Sequence, residues 1–375
     1  MSPAARLDAR PWRGTAALAE LAPAWDGLAR AAGLDPLCNA HGWTDAYARA
    51  FAGEAGVFGW CFAEGTELAG ILALRREPSR GALALRRALF AADGTFDSDY
   101  LEPPIRPGLE GAVAQQLFDA ARAENGLEAL VFAGLPEGSR FLAALRAELA
   151  ARGLPHREHA LTCLAAPLPD TFELHLAGLK PRMRTKVRSA VRAAGERGAR
   201  LAWCTRPDEL EPWLAELFRL HEARWSALGR TGSFADPRRR AFYRDFAARA
   251  LANGELALAR LEERDAVSAM QLGVRCGARY YQIQEGFDPA LGEERAATAL
   301  RALALGELIA RGVRSYDFMA GDSRHKRDWG GVERPCRTIA FPLPRLRARL
   351  AYGLRARVER WRSARAAAED GTRDR

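Results

Sequence analysis

The sequence predicts an α/β (α+β) protein of two similar units, and three observations carry that prediction. The chain has 375 residues, which at roughly 150 residues per domain corresponds to about two domains. Strand-length apolar runs alternate with helix-period segments along its whole length. The segment from Phe62 to Arg75 faintly mirrors that from Leu261 to Arg275, each reading as two strands around a polar turn. Each unit is read as a mixed, centrally antiparallel sheet flanked by helices. The boundary falls near residue 166, giving a first unit over 1–165, a second over 166–345, and a basic C-terminal helix and tail over 346–375.

In order, the first unit opens with a helix around 15–32 and another near 41–52. Val57–Ala63 and Leu68–Leu74 flank Glu64-Gly65-Thr66, a hairpin signal. Helical patterns follow at 108–123 and 137–152, with strands at 127–132 and 160–165. The second unit starts with a basic helix at 181–196, a strand near 201–204, and helices at about 207–227 and 236–252. Strands at 256–261, 267–274 and 279–285 follow, then an apolar helix over about 294–311 and a strand at 315–319.

Composition narrows the function classes. Hydrophobic residues at 48% and charged residues at 27% exclude wholesale disorder. No run reaches the roughly 18–20 apolar residues of a membrane-spanning helix. The N-terminus carries no apolar run after its charges, so it is not a secretory signal and the expected location is the cytoplasm. The six cysteines, none within twenty residues of another, form no CxxC pair and no zinc spacing; they read as small buried hydrophobes, and no metal is expected. GxxxxGK[ST], GxSxG, HExxH and a strand-following GxGxxG are all absent.

The net charge of +9 is concentrated. Residues 180–200 hold eight Lys/Arg against one Glu, and residues 344–375 hold ten Arg against four acids, so the remainder is net acidic. In the first segment Met183, Val187 and Val191 form an apolar stripe beside a row of Arg184, Arg188 and Arg192. That row suits a polyanion, or is a solvated face paired with acids. The second segment, Pro344 to Arg365, places Leu346, Leu350, Leu354, Val358 and Trp361 at helical spacing. It either packs on its own unit or contacts a membrane surface.

Residues 279–330 are the densest in candidates. On the strand, strict alternation puts Tyr281, Ile283 and Glu285 on one face and Tyr280, Gln282 and Gln284 on the other. The helix that follows presents free N–H groups and a positive dipole end suited to phosphate, with Arg295 and Arg301 able to add charge-assisted contacts. Asp288 lies in Gly-Phe-Asp-Pro, good turn chemistry. Asp317, inside an apolar strand, is either a satisfied structural acid or a catalytic or substrate-binding group. His325 is a candidate base, and Lys326 is the only lysine outside the basic helix.

These stretches together resemble the GNAT N-acetyltransferase superfamily, specifically the CelD/BcsL-type acetyltransferases related to the FemAB peptidoglycan aminoacyltransferases. The resemblance rests on Leu179-Lys-Pro-Arg-Met-Arg-Thr-Lys-Val-Arg, Tyr280-Tyr-Gln-Ile-Gln-Glu-Gly-Phe-Asp-Pro, the 294–311 helix, and Tyr316-Asp-Phe-Met-Ala-Gly-Asp-Ser-Arg-His-Lys-Arg-Asp-Trp-Gly. His41-Gly-Trp-Thr and Asp97-Ser-Asp-Tyr-Leu-Glu-Pro sit in the expected order in a degenerate first unit. It implies two tandem GNAT-like domains, with acetyl-CoA or another acyl-CoA entering a V-shaped opening between strands 279–285 and 315–319. Gln282, Ile283 and Gln284 on the strand, and Arg295, Ala297, Thr298 and Arg301 on the helix, would then face the donor. The chain departs from the family at Glu294-Arg-Ala-Ala-Thr-Ala, where a glycine usually lets backbone approach a phosphate. The resemblance further implies Glu285 or Asp288 as proton acceptor, strand N–H groups for the developing oxyanion, and Tyr281 or Tyr316 as proton donor to the thiolate. Asp317, His325 and Lys326 would meet a small amine acceptor, such as an amino sugar or an exopolysaccharide or other cell-envelope precursor. Its alternatives are an aminoacyl-tRNA-dependent transferase, with the 180–200 helix touching RNA, and a non-catalytic scaffold.

Overall fold

The computed structural model describes residues 7–77, 84–93, 97–263, 266–289, 293–348 and 350–352. The strands are β1 (Asp8–Arg13), β2 (Val57–Glu64), β3 (Glu67–Arg76), β4 (Arg87–Phe90), β5 (Ala129–Pro136), β6 (Arg157–Pro167), β7 (Arg200–Trp203), β8 (Leu256–Glu263), β9 (Ala266–Cys276), β10 (Arg279–Phe287), β11 (Ser315–Ala320) and β12 (Val332–Pro342). The helices are α1 (Gly14–Glu20), α2 (Ala22–Ala32), α3 (His41–Tyr47), α4 (Glu110–Ala123), α5 (Arg140–Ala151), α6 (Phe172–Gly178), α7 (Pro181–Glu196), α8 (Pro207–Ala227), α9 (Pro237–Ala252), α10 (Glu293–Ala310) and α11 (Arg324–Asp328).

All the strands join one sheet in the order β1-β2-β3-β4-β5-β12-β6-β11-β10-β9-β8-β7. Each half of the chain contributes an antiparallel meander of four strands, β1–β4 and β7–β10. Each meander ends on a parallel fifth strand reached through a helix: β4 pairs with β5 by way of α4, and β10 with β11 by way of α10. The sixth strands are exchanged. β6, from the first half, lies on β11, and β12, from the second, lies on β5.

Local chemistry starts several of these helices. Pro181 opens α7 at a position that has no N–H to lose. The Ser139 hydroxyl caps α5 by accepting from Leu142 N–H at 3.1 Å. The expected stripe on α7 is buried through Met183 and Val187, with Val191 partly so, against Leu305, Leu308 and Tyr316. Burying a side chain of this size contributes roughly 1.5–3 kcal/mol. The two halves are also joined outside the sheet: Trp43 on α3 packs edge-on against Phe242 and Phe246 of α9, at 5.0 and 4.6 Å.

Four expectations are corrected. The opening helix is two helices preceded by an edge strand, β1. Of the cysteines, Cys38, Cys163, Cys204 and Cys336 are buried, but Cys61 and Cys276 are only half-buried. In the α7 row, Arg184 turns back onto the carbonyls of Ala177 and Leu179, so only Arg188 and Arg192 present their charge outward. Beyond β12 the helical residues 346–348 and 350–352 dock through Ala348 and Tyr352 onto Leu85 and Ala129. Leu346 and Leu350 of the expected apolar stripe do not join that packing and are exposed. Leu354, Val358 and Trp361 lie outside the described residues.

Candidate active site

The parting of β10 from β11 creates the site. They are in parallel register at Arg279↔Ser315, Tyr280↔Tyr316 and Tyr281↔Asp317, and pairing then ends, while β10 stays on β9 as far as Phe287↔Ala269. Within the parting, a β-bulge falls between Gln282 and Gln284, leaving Ile283 with no residue opposite on β9. One extra residue resets the alternation of faces. Strict alternation therefore fails. Gln282 and Glu285 share a face, the Gln282 amide donating to Glu285 Oε2 at 3.4 Å. Tyr281 and Gln284 point the other way, into the first half: Tyr281 donates to Asp35 at 2.8 Å and Gln284 to Asp97 at 2.8 Å.

Arg301, two turns into α10, fills the space behind Gln282 and Glu285. Its side chain is 2% exposed, and it pairs with Glu285, itself 9% exposed. It also donates to Gln282 Oε1 at 3.2 Å and to the Tyr316 hydroxyl at 3.4 Å, and it lies against Nε2 of His325. The rings of Phe318 and Trp329 pack beside the guanidinium. A buried arginine persists only when its donors are met in this way. The Tyr316 hydroxyl accepts from Gln271 at 2.6 Å and donates to Gln282 at 3.0 Å. Burial pushes its pKa up to about 12, so the proton stays on oxygen. His325 as a whole is exposed. Desolvation of its inner side, then the Arg301 charge, push its pKa down to about 3, which makes it a neutral acceptor and a poor base.

A cavity of about 560 Å³ opens where the strands part. Gln282, Ile283, Gln284 and Glu285 line it from β10, and Ala297, Thr298 and Arg301 from α10. His325 and Lys326 line it from α11. The Lys326 ammonium is anchored on the Met319 and Ala320 carbonyls, at the end of β11, where Met319 takes a left-handed φ of 60°.

Several expected site residues are elsewhere. Tyr281 is fully buried on Asp35 and Arg279 and does not reach the cavity, because the bulge lies beyond it. Asp317 is the satisfied structural acid: it accepts from Met319 N–H at 2.8 Å, Arg334 at 2.6 Å and the Tyr100 hydroxyl at 3.1 Å, with no surface exposed. Arg295 is exposed and outside the lining, as is half-buried Asp288, whose N–H donates to Ser268 O at 3.0 Å. Tyr316 stands one layer behind the wall.

Residues that sequence reasoning missed complete the lining: Asp97 from the first half, Lys186 from α7, and His221, Arg224 and Trp225 from α8. His221 and Trp225 stand one helical turn apart, the indole donating to His221 Nε2 at 3.0 Å, and that i,i+4 spacing was the available signal. Burial, then Arg224 and Arg239, push His221 down to about 4. Asp97 accepts from Arg239 at 2.8 Å and Tyr243 at 2.6 Å as well as from Gln284. Burial still raises its pKa. Helix α8 reaches the cavity because residue 286 is glycine; a Cβ there would come 2.7 Å from His221 N.

Among the described residues, no group of His, Cys, Asp and Glu could hold a metal, and no helix is long and apolar enough to cross a membrane. Residues 181–327 match the model of an acetyltransferase (GNAT) domain. No curated protein matches the chain in sequence. Among solved structures the chain is similar to FemX, with a TM-score of 0.58, 12% identity, and 84% of this chain and 95% of that chain covered. It is similar to L-PGS from Bacillus licheniformis, with a TM-score of 0.54, 12% identity and coverage of 89% and 96%. A tandem GNAT protein from the clavulanic acid biosynthesis pathway gives a TM-score of 0.51, 15% identity and coverage of 90% and 98%. At these identities the likeness is one of fold.

Proposed function

From the premise that the chain is a GNAT-type, FemAB-like acyltransferase, we propose that it moves an acyl group from acyl-CoA to the amine of a small acceptor. We take 1–165 and 166–345 as its two domains, the second holding the donor. The observation that carries the reading is the cavity at the parted strands, with Ile283 unpaired at its floor. We take the Ile283 backbone N–H, at the bulge, as the donor to the oxygen that gains charge during acyl transfer.

The residues present fit an acyl-CoA. Arg224 and Lys186 at the cavity wall suit its phosphates, and Phe287 and Phe318 suit its apolar arm. Ala297 and Thr298, which line the cavity, stand where the family places a glycine. When bound, the donor supplies an activated thioester carbonyl. Asp97 draws the acceptor's ammonium, and Glu285, held by Arg301, takes the proton directly or through water. Asp288, outside the lining, is the lesser candidate. The acceptors to screen first are amino sugars and related envelope precursors, a choice that rests on the family resemblance.

Calorimetric titration with acetyl-CoA and with CoA, at two salt concentrations, tests the donor; thiol release with candidate amines tests transfer. Micromolar acetyl-CoA binding supports the reading, and its absence in folded protein refutes it. Retention of full turnover by both Glu285→Gln and Asp288→Asn refutes the base assignment. A second reading, an aminoacyl-tRNA donor, draws on the exposed Arg188 and Arg192 of α7 beside Lys186 at the cavity. It requires tRNA binding that weakens steeply with salt.

A further inference from the structure

The first half has a cleft of its own. Its fifth strand β5 and the helices α4 and α5 repeat the arrangement of β11, α10 and α11. At the corresponding place, the C-terminal end of β5 and the first residues of α4 and α5, lies a second cavity, of about 740 Å³. Glu102, Glu110, Ser139 and Arg140 line it from the first half, and Arg279, Arg314 and Arg334 from the second.

Its chemistry differs from that of the other cavity. At the start of α4 a carboxylate already stands where a phosphate would bind: Glu110 accepts from Gly108 N–H at 2.8 Å. Its other oxygen is 3.9 Å from Arg140. Glu102 has no ion-pair partner among the described residues. Ser139, Asp35 and Glu110 line the same cavity. Burial first, and then those two carboxylates, raise the Glu102 pKa. The cavity's cations already have partners: Arg279 pairs at 2.6 Å with Asp35, a third carboxylate of the same lining, Arg314 with Asp170 at 3.2 Å, and Arg334 with Asp317 at 2.6 Å and with Asp35 at 3.6 Å. All three keep a third or more of the side chain exposed or close to it, so each has donors to spare.

We propose that this cavity binds a small zwitterion of the amino-acid class, its ammonium on Glu102 and Glu110 and its carboxylate on the arginines contributed by the second half. The site lies at the opposite end of the β10–β11 pair from the first cavity. It does not depend on what the first cavity binds. Arg334 ties the two together, since its partner Asp317 holds the N–H of Met319, which lines the first cavity.

The test is saturation-transfer NMR on the full chain with the twenty free amino acids pooled at millimolar concentration, followed by calorimetry on those that respond. The proposal expects at least one amino acid to bind. It expects that amino acid's decarboxylated amine and its deaminated acid each to bind far more weakly. Glu102→Gln should weaken binding by roughly tenfold or more, as expected for one charged hydrogen bond. Arg224→Ala, in the other cavity, should leave it intact. A thermal melt of Glu102→Gln that matches the wild type separates lost binding from lost fold; if that variant melts early, Arg314→Gln, on the exposed side of the cavity, replaces it. The proposal is overturned if no amino acid responds, if the amine alone binds as well, or if CoA competes for the same site.

Discussion

Replacing Arg301 by Met tests whether the parted-strand site is organised around one buried ion pair. The guanidinium is 2% exposed and Glu285 9%. After the substitution the only remaining side-chain donor to Glu285 among the described residues is the Gln282 amide, at a long 3.4 Å. Removing one member of a buried pair leaves an uncompensated charge, at a cost of about 3–5 kcal/mol. That is a large part of the roughly 5–15 kcal/mol that holds a domain folded. Glu285→Gln with Arg301→Met removes both charges. It should recover most of the loss, giving a coupling of about 2 kcal/mol or more in a double-mutant cycle. Urea unfolding of the four proteins at pH 8 measures it. His325 reports independently. With no cation beside Nε2, its ring should titrate above the wild-type value of about 3, which NMR of the ring protons follows. If Arg301→Met does not fold, Arg301→Lys keeps the charge and loses the fork; its own cycle against Glu285→Gln then serves. A coupling below about 0.5 kcal/mol, the level expected of independent sites, would refute the reasoning.

Three further outcomes follow from the same geometry. Gly286→Ala drives a methyl into His221 backbone, so it should cost about 1–3 kcal/mol and lower the melting temperature; a neutral effect would mean that α8 does not rest on β10. His221 titrates near 4 folded and near 6.5 unfolded, so the unfolded chain binds more protons between those values. The His221 contribution is complete above about pH 6.5 and is lost on acidification toward 4, by about 3 kcal/mol in all; His221→Gln should flatten that part of a stability–pH curve. Asp99 runs the other way: burial pushes it up to about 7, so its penalty grows as pH rises from about 4 to 7. Asp99→Asn, keeping an acceptor for Ala320 N–H, should stabilise the fold by about 1–3 kcal/mol at pH 8 and by less at pH 4.5, as read by urea unfolding at both.

Elements with a strong local period were legible in the sequence. The span of α7 was read correctly, because its apolar stripe and Pro181 are local signals. Those of α8 and α9 were read to within a residue. Three strands were not. β4 is four residues long, β1 carries Pro11 on an edge, and β12 owes its extended form to β5 and β6, from the first half of the chain. The site divides in the same way. Gln282, Glu285, Arg301, Tyr316, His325 and Lys326 fall within one stretch of chain whose polarity marked it. Asp97 and the α8 residues reach the cavity only through tertiary packing, one of them by grace of a missing Cβ at Gly286.

The bulge at Ile283 is the most instructive miss. Nothing in Tyr-Tyr-Gln-Ile-Gln-Glu distinguishes a regular strand from one with an extra residue, because the ladder that would show the insertion is made by β9, and the space that accommodates it is made by β11 turning away after Asp317. Yet the insertion decides the chemistry. Without it, Glu285 would share a face with Tyr281 and be directed toward the first half, away from Arg301, and Gln284 would take its place. One unpaired residue therefore does two things at once: it turns the carboxylate onto the arginine, and it takes its own backbone out of the β9 ladder inside the cavity. The same irregularity that defeats a period-two reading of the strand is what makes that strand suitable for acyl transfer.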